Sequence, residues 1–102
     1  MGPWFVSADE IADPGDLSMT LDVSGVRRQH GTTRTMIFGV ATLVSYLSRF
    51  MTLHPGDVVT TGTPPGVGLG MRPQVWLKDG DVMRLEIAGL GHQEQRVQFA
   101  RA

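Results

Sequence analysis

No cysteine occurs in the 102 residues, so disulfide scaffolding and thiolate metal sites are excluded. No apolar run approaches the roughly 18 residues of a membrane span, and the N-terminus lacks the layout of a signal peptide. A cytoplasmic location with no membrane partner is the expectation compatible with these absences. Neither sign of charge dominates: Lys and Arg number 9, Asp and Glu 10, the net charge is −1, and the basic residues are scattered. Such a chain offers no electrostatic footprint for nucleic acid. The Gly-Lys-Ser/Thr of a phosphate loop is missing. The three histidines, His30, His54 and His92, stand too far apart to share one helix face. Carboxylates pair only as Asp9-Glu10, neighbours that point to different sides of a regular element, and as Asp79/Asp81 around a turn glycine. A hard-cation site wants several convergent oxygens, and the residues show no such cluster, so no internal metal site is expected. Ser7, Ser18, Ser24, Ser45 and Ser48 all lack the setting of a nucleophile elbow.

What the chain does have is enough apolar residue for a core, 41%, in a length that allows one small domain spanning residues 1–102. A domain of this size buries only about 60–65% of its unfolded surface. "SADE" carries an N-cap signal, Ser7 with Glu10 three residues on, but Asp13-Pro14-Gly15 limits any helix there to one turn. Leu17, Met19, Leu21 and Val23 alternate with polar residues, which predicts a half-buried strand. Ser24-Gly25 is a tight-turn pair, and Val26 to Gln29 returns as a second strand. The polar "HGTTRT" after it reads as a flexible loop. Val40, Leu43, Val44, Leu47 and Met51 fall on one face of an amphipathic helix over 40–51, closed by a Pro55-Gly56 turn.

From there the pattern is strand-like. Asp57 to Thr61 is β-branched and predicts a strand buried on both faces. Val75 to Leu77 and Val82 to Ile87 flank the hairpin turn Asp79-Gly80, and Gln95, Val97 and Phe99 alternate in a last strand. The expected class is mainly β with one helix packed on it, an α+β arrangement.

Within this pattern "VVTTGTPPGVG", residues 58–68, sets a β-branched run against two prolines and three glycines. "GVGLG" looks like a dinucleotide fingerprint, but the fingerprint needs a helix at once, and "MRPQVW" with Pro73 does not supply one. Gly62 clears space at a strand end, and Pro64-Pro65 stiffens the residues after it. The Thr63 hydroxyl and nearby backbone N–H groups could there hold a carboxylate or keto oxygen. A rigid β corner without ligand accounts for the same residues.

Several stretches together resemble one family. "GDVVTTGTPPGVG", a spacer and "LKDGDVMRLEIAGLG" are similar to a signature of the fumarylacetoacetate hydrolase family. "GPWFVSADEI", "VSGVRRQ" and "MIFGVATLVSYLSRFMTLHPGD" look like its counterparts in the same order, so that the likeness runs from Gly2 to about Val97. The resemblance implies the C-terminal half of a mixed β-roll and, in most members, a dimer. It implies enzymes that cleave, decarboxylate, hydrate or isomerise small oxo-acids and dioic acids through an enol or enolate held by Mg²⁺ or Mn²⁺, where the ion stabilises a developing oxyanion. It places Thr63, between Gly62 and Pro64, at the position that contacts a substrate carboxylate or oxo group, with Pro64, Gly66 and Gly68 shaping the loop.

The departures bear on activity. The family's Glu-x-Glu pair, later Asp, substrate-binding Arg and Gln, Lys-Ser-Phe-like segment and, in some members, His-Glu dyad all precede the "GPW" segment. They have no counterpart here. Before Met-Ile-Phe the family often has Asn-Thr-x-Asp, whereas this chain has Thr32, Thr33, Arg34 and Thr35, of which only Thr33 agrees. Three readings stand at this point: the C-terminal portion of an enzyme, inactive when isolated and paired with its N-terminal half or a second copy; a structural or dimerisation module; and a small-ligand binder resting on the glycine loop.

Overall fold

Ser18–Val23 forms strand β1 and Val26–Thr32 strand β2, an antiparallel hairpin in a computed structural model that describes residues 2–100. Ser24 and Gly25 both have positive φ, 48° and 79°, as the two-residue turn matching strand twist requires. Val40–Leu47 is helix α1. Val82–Ile87 is β3 and Gly91–Arg96 is β4. The four strands form one antiparallel sheet in the order β2-β1-β3-β4. The class is mainly β with a single α-helix among the described residues.

The register divides the sheet into two unlike faces. Residues directly opposite one another share a face. Met19, Leu21 and Val23 pair with Ile87, Leu85 and Met83. On the same face Leu21 meets Gln29 and Met19 meets Gly31. The other face carries Thr20, Asp22, Arg84 and Glu86, with the Asp22–Arg27 ion pair across the hairpin. Leu21 pairs with Gln29 but Asp22 with Arg27, so Arg28 is the extra residue of a β-bulge.

The apolar face is only partly covered. Trp4 lies over Gly91, where a Cβ would come within 2.3 Å of the indole. Val23 is the one buried core residue among those described, and Phe5 (94% exposed) and Ile37 (92%) are almost bare. Accessible surface is 8380 Å², against about 5,700 Å² for a closed globule of this mass. The radius of gyration is 15.9 Å, against about 13 Å for a 100-residue domain. These residues do not close a core by themselves.

Several expectations are corrected. Residues 57–61 are not a strand buried on both faces; they have no ladder partner among the described residues, and Val58 is 61% exposed. Residues 75–77 are not a strand either, because the Val75 N–H goes to the Gly68 carbonyl instead of a ladder. The Asp79-Gly80 turn forms, but residues 80 and 81 then bond to Val97 beyond the end of β4. The last strand starts at Gly91 and ends at Arg96 rather than running to Phe99. The helix stops at Leu47, where the Ser48 hydroxyl turns back to the Ser45 carbonyl and the chain continues as turns. It meets the sheet little and contributes Leu43 to the cleft described below. "HGTTRT" is ordered: His30 to Thr32 extend β2, and Thr33–Thr35 is a 3-10 turn capped by Thr32. Ala8–Glu10 is one 3-10 turn, and Ser7 makes no side-chain cap bond.

Candidate functional site

The loop of residues 58–68 is pinned to β2 at two points. Pro64 packs on Gly31: a Cβ at Gly31 would lie 2.7 Å from the Pro64 Cβ. Gly66, at φ +112°, lies on the bulge, where a Cβ would come within 2.0 Å of the Arg28 carbonyl oxygen. Glycine is required at Gly66 on both counts, the left-handed backbone and the close approach. The helix reaches this loop through Pro55-Gly56, where Asp57 N–H donates to the His54 carbonyl (3.1 Å) and the Asp57 carboxylate accepts from the His54 N–H (2.8 Å).

Ahead of the Pro64 anchor the chain opens. Gly62 has φ +96° and nothing within 4 Å of a Cβ placed on it, so the space beside it is free. Thr63 comes next. Its Oγ1 accepts a hydrogen bond from the Gln29 side-chain amide (2.9 Å), and the same amide nitrogen donates to the Pro64 carbonyl (2.6 Å). Gly62, Thr63 and Pro64 border a cleft of about 440 Å³ whose other walls include Met19, Met36, Phe38 and Leu43. Thr32, Thr33, Thr35 and Thr61 also line it. Three of those are engaged: Thr33 Oγ1 accepts the Leu17 N–H (2.9 Å), Thr32 Oγ1 accepts the Arg34 N–H (3.3 Å), and the Thr35 hydroxyl donates to the Thr32 carbonyl (2.9 Å). Arg34 pairs with Asp16 at 2.6 Å and does not line the cleft, whereas Thr32 and Thr35, which depart from the Asn and Asp of the pattern, do.

Of the residues singled out in the sequence, Gly62, Thr63 and Pro64 come together at this cleft. Gly66 and Gly68 do not line it. They border a second cleft, with Leu21, Val23 and Val26, and fasten the loop to the sheet and to Val75. Gln29 and Gly31 escaped the sequence reading as site residues. A glycine inside a strand marks close backbone approach, but Gly31 fell in the stretch expected to be a loop, and only the observed run of β2 to Thr32 places it in a strand. Gln29 carried no signal beyond its place on the apolar face of the hairpin.

The lining combines apolar side chains with threonines. No ionisable side chain borders the cleft among the described residues. Nor do the described residues bring together three or more His, Asp or Glu that could hold a metal ion. These side chains do not fit a divalent ion by themselves, and no step through one is derived from them.

The profile described as fumarylacetoacetate (FAA) hydrolase C-terminal matches residues 1–98. The chain belongs to the fumarylacetoacetate hydrolase family. It is 58% identical over 98 residues to the 2,4-didehydro-3-deoxy-L-rhamnonate hydrolase of Sphingomonas sp. (strain SKA58), a match covering 95% of this chain and 34% of that protein. The fumarylacetoacetate hydrolase of the psychrophilic Exiguobacterium antarcticum superimposes with a TM-score of 0.90 at 46% identity, over 95% of this chain and 35% of that one. The maleylpyruvate hydrolase of Sphingobium sp. SYK-6, solved in complex with manganese(II) and pyruvate, gives a TM-score of 0.85 at 37% identity, over 95% and 34%. The chain spans about a third of the length of the curated relatives it matches. No helix among the described residues is long and apolar enough to cross a membrane.

Proposed function

We propose that these residues form the C-terminal portion of a catalytic domain that acts on small oxo-acids or dioic acids, with the Thr63 hydroxyl contacting a substrate oxygen. The observation that carries the reading is Thr63 at the border of an uncharged cleft, on an open stretch next to Gly62 and directly before the Pro64 anchor. The family membership supports hydrolysis of a carbon–carbon bond as the reaction type, with decarboxylation and isomerisation as neighbours of the same chemistry. A relative that holds manganese(II) and pyruvate supports an oxo-acid ligand and a divalent ion, Mg²⁺ or Mn²⁺. In this proposal the ion's ligands lie outside the present residues, the whole unit works in the cytoplasm, and a two-fold dimer or the rest of the domain covers the exposed apolar surface.

A non-catalytic structural or dimerisation remnant is the second reading. The lack of any ionisable group in the cleft lining among the described residues favours it. One assay separates the two. The complete polypeptide containing these residues, supplied with Mg²⁺ or Mn²⁺, is tested on acylpyruvates and oxaloacetate. Turnover that falls in Thr63→Val supports the enzyme reading. No turnover above the metal-catalysed background supports the remnant. The 102-residue segment alone is expected to be inactive in either case.

A further inference from the structure

The direction of the hydrogen bond at Thr63 is set by the residue beneath it. Gln29 sits on β2 opposite Leu21, on the same face as Gly31, against which Pro64 packs. Its amide nitrogen is 2.6 Å from the Pro64 carbonyl oxygen and 2.9 Å from Thr63 Oγ1. A carbonyl oxygen carries no hydrogen, so only the NH₂ end of the amide can face Pro64. That fixes the orientation of the whole group. Its two hydrogens then serve one oxygen each, and the Thr63 oxygen is used as an acceptor. The Thr63 hydroxyl donates no hydrogen bond among the described residues, and Thr63 is a lining residue of the cleft.

We propose that Gln29 is a positioning residue that holds the Thr63 oxygen as an acceptor and so keeps its proton for an accepting oxygen in the cleft. A hydroxyl can ordinarily serve as donor or acceptor by rotating. Here the inward lone pair is occupied, and rotation toward the amide would set one hydrogen against another. The site therefore favours an accepting oxygen, such as a carboxylate, keto or enolate oxygen, which takes the proton that the amide leaves free. The bond to an anionic oxygen is the stronger kind, and an amide donating into the hydroxyl polarises its O–H further. This rests on the reading of Thr63 as a substrate contact, and it adds the polarity that the reading requires.

The test is a double-mutant cycle on the complete polypeptide, with pyruvate as probe in the presence of Mn²⁺ and binding read by calorimetry. Thr63→Val should weaken pyruvate about tenfold or more, the loss expected for a hydrogen bond to a charged group. Gln29→Met should weaken it about three- to tenfold. In the Thr63→Val background Gln29→Met should add nothing, because the hydroxyl it orients is gone. Thermal midpoints report whether each variant folds. Should Gln29→Met fail to fold, Gln29→Glu carries the same comparison: its carboxylate can only accept, draws the Thr63 proton inward, and should weaken pyruvate at least as much. Unchanged affinity in Thr63→Val would overturn the reading of Thr63 and this inference with it. Weakening in Thr63→Val, with Gln29→Met either silent or fully additive, would overturn the inference and leave Thr63 standing.

Discussion

Gly66 lies against the carbonyl oxygen of Arg28, so close that a Cβ would sit 2.0 Å from it. The bulge at Arg28 and the left-handed backbone at Gly66 thus meet in one contact, which holds the Thr63 loop to the sheet. Gly66→Ala must move either the loop or the bulge, and it adds a side chain at φ +112°. The expected cost is about 1–3 kcal/mol of stability, together with weaker pyruvate binding by the complete polypeptide. Gly70→Ala serves as the control, since its Cβ would make only an ordinary contact, 3.6 Å from Val67 Cγ2. Thermal unfolding of the two variants checks this, and equal midpoints would show that the contact is dispensable.

Gly31 faces the same loop from the strand. Its Cβ would lie 2.7 Å from Pro64 Cβ, so Gly31→Ala should lift Pro64 and lengthen the bonds that Gln29 makes. Affinity for pyruvate should fall several-fold with a smaller loss of stability than in Gly66→Ala, because the pyrrolidine ring can give where the Arg28 backbone cannot. Parallel calorimetry and thermal melts decide the order.

Acid should loosen the far end of the sheet through Asp81. Its carboxylate accepts the Ser24 hydroxyl (2.7 Å) and the Lys78 N–H (2.7 Å), joining the β1–β2 turn to the turn before β3. The Ser24 bond, then the Lys78 bond, hold its pKa below the ordinary value of 3.8. A depressed folded-state pKa contributes stability that is present above the unfolded value and lost as pH falls through the folded one. The melting temperature should therefore lose an acid-side component below about pH 4 when Asp81 is replaced by Asn. A parent and an Asp81→Asn variant with identical acid profiles would contradict the assignment.

The isolated 102 residues should self-associate. Their surface exceeds that of a closed globule by about 2,700 Å², more than a standard interface buries in total. Covering side chains such as Phe5 and Ile37 would contribute about 1.5–3 kcal/mol each. Sedimentation at low micromolar concentration should show an oligomer, whereas a cooperative, well-folded monomer would show that these residues suffice. The same sample should bind Mg²⁺ or Mn²⁺ no more tightly than about millimolar, since no three-ligand cluster forms among the described residues.

Local features were legible in the sequence and distant contacts were not. The β1–β2 hairpin was readable because alternation from Leu17 to Val23 and the Ser24-Gly25 turn act within a few residues. The strand of 82–87 was readable for the same reason. Residues 57–61 looked like a strand because β-branched residues suit one, but a strand exists only with a neighbour, and none is present among the described residues. At the site, Gly62 and Thr63 were visible as a bare stretch beside rigid prolines. Gln29 was not, because its role comes from a contact 34 residues away in sequence that no local pattern records.

The most direct test of the whole account is a structure of the complete polypeptide with Mn²⁺ and pyruvate. The account predicts a pyruvate oxygen within about 2.5–3.0 Å of Thr63 Oγ1, the range of an O–H···O bond, with the Gln29 amide still bound to Thr63 and Pro64 from the other side. Pyruvate bound in a site that leaves Thr63 Oγ1 without a ligand oxygen would contradict it.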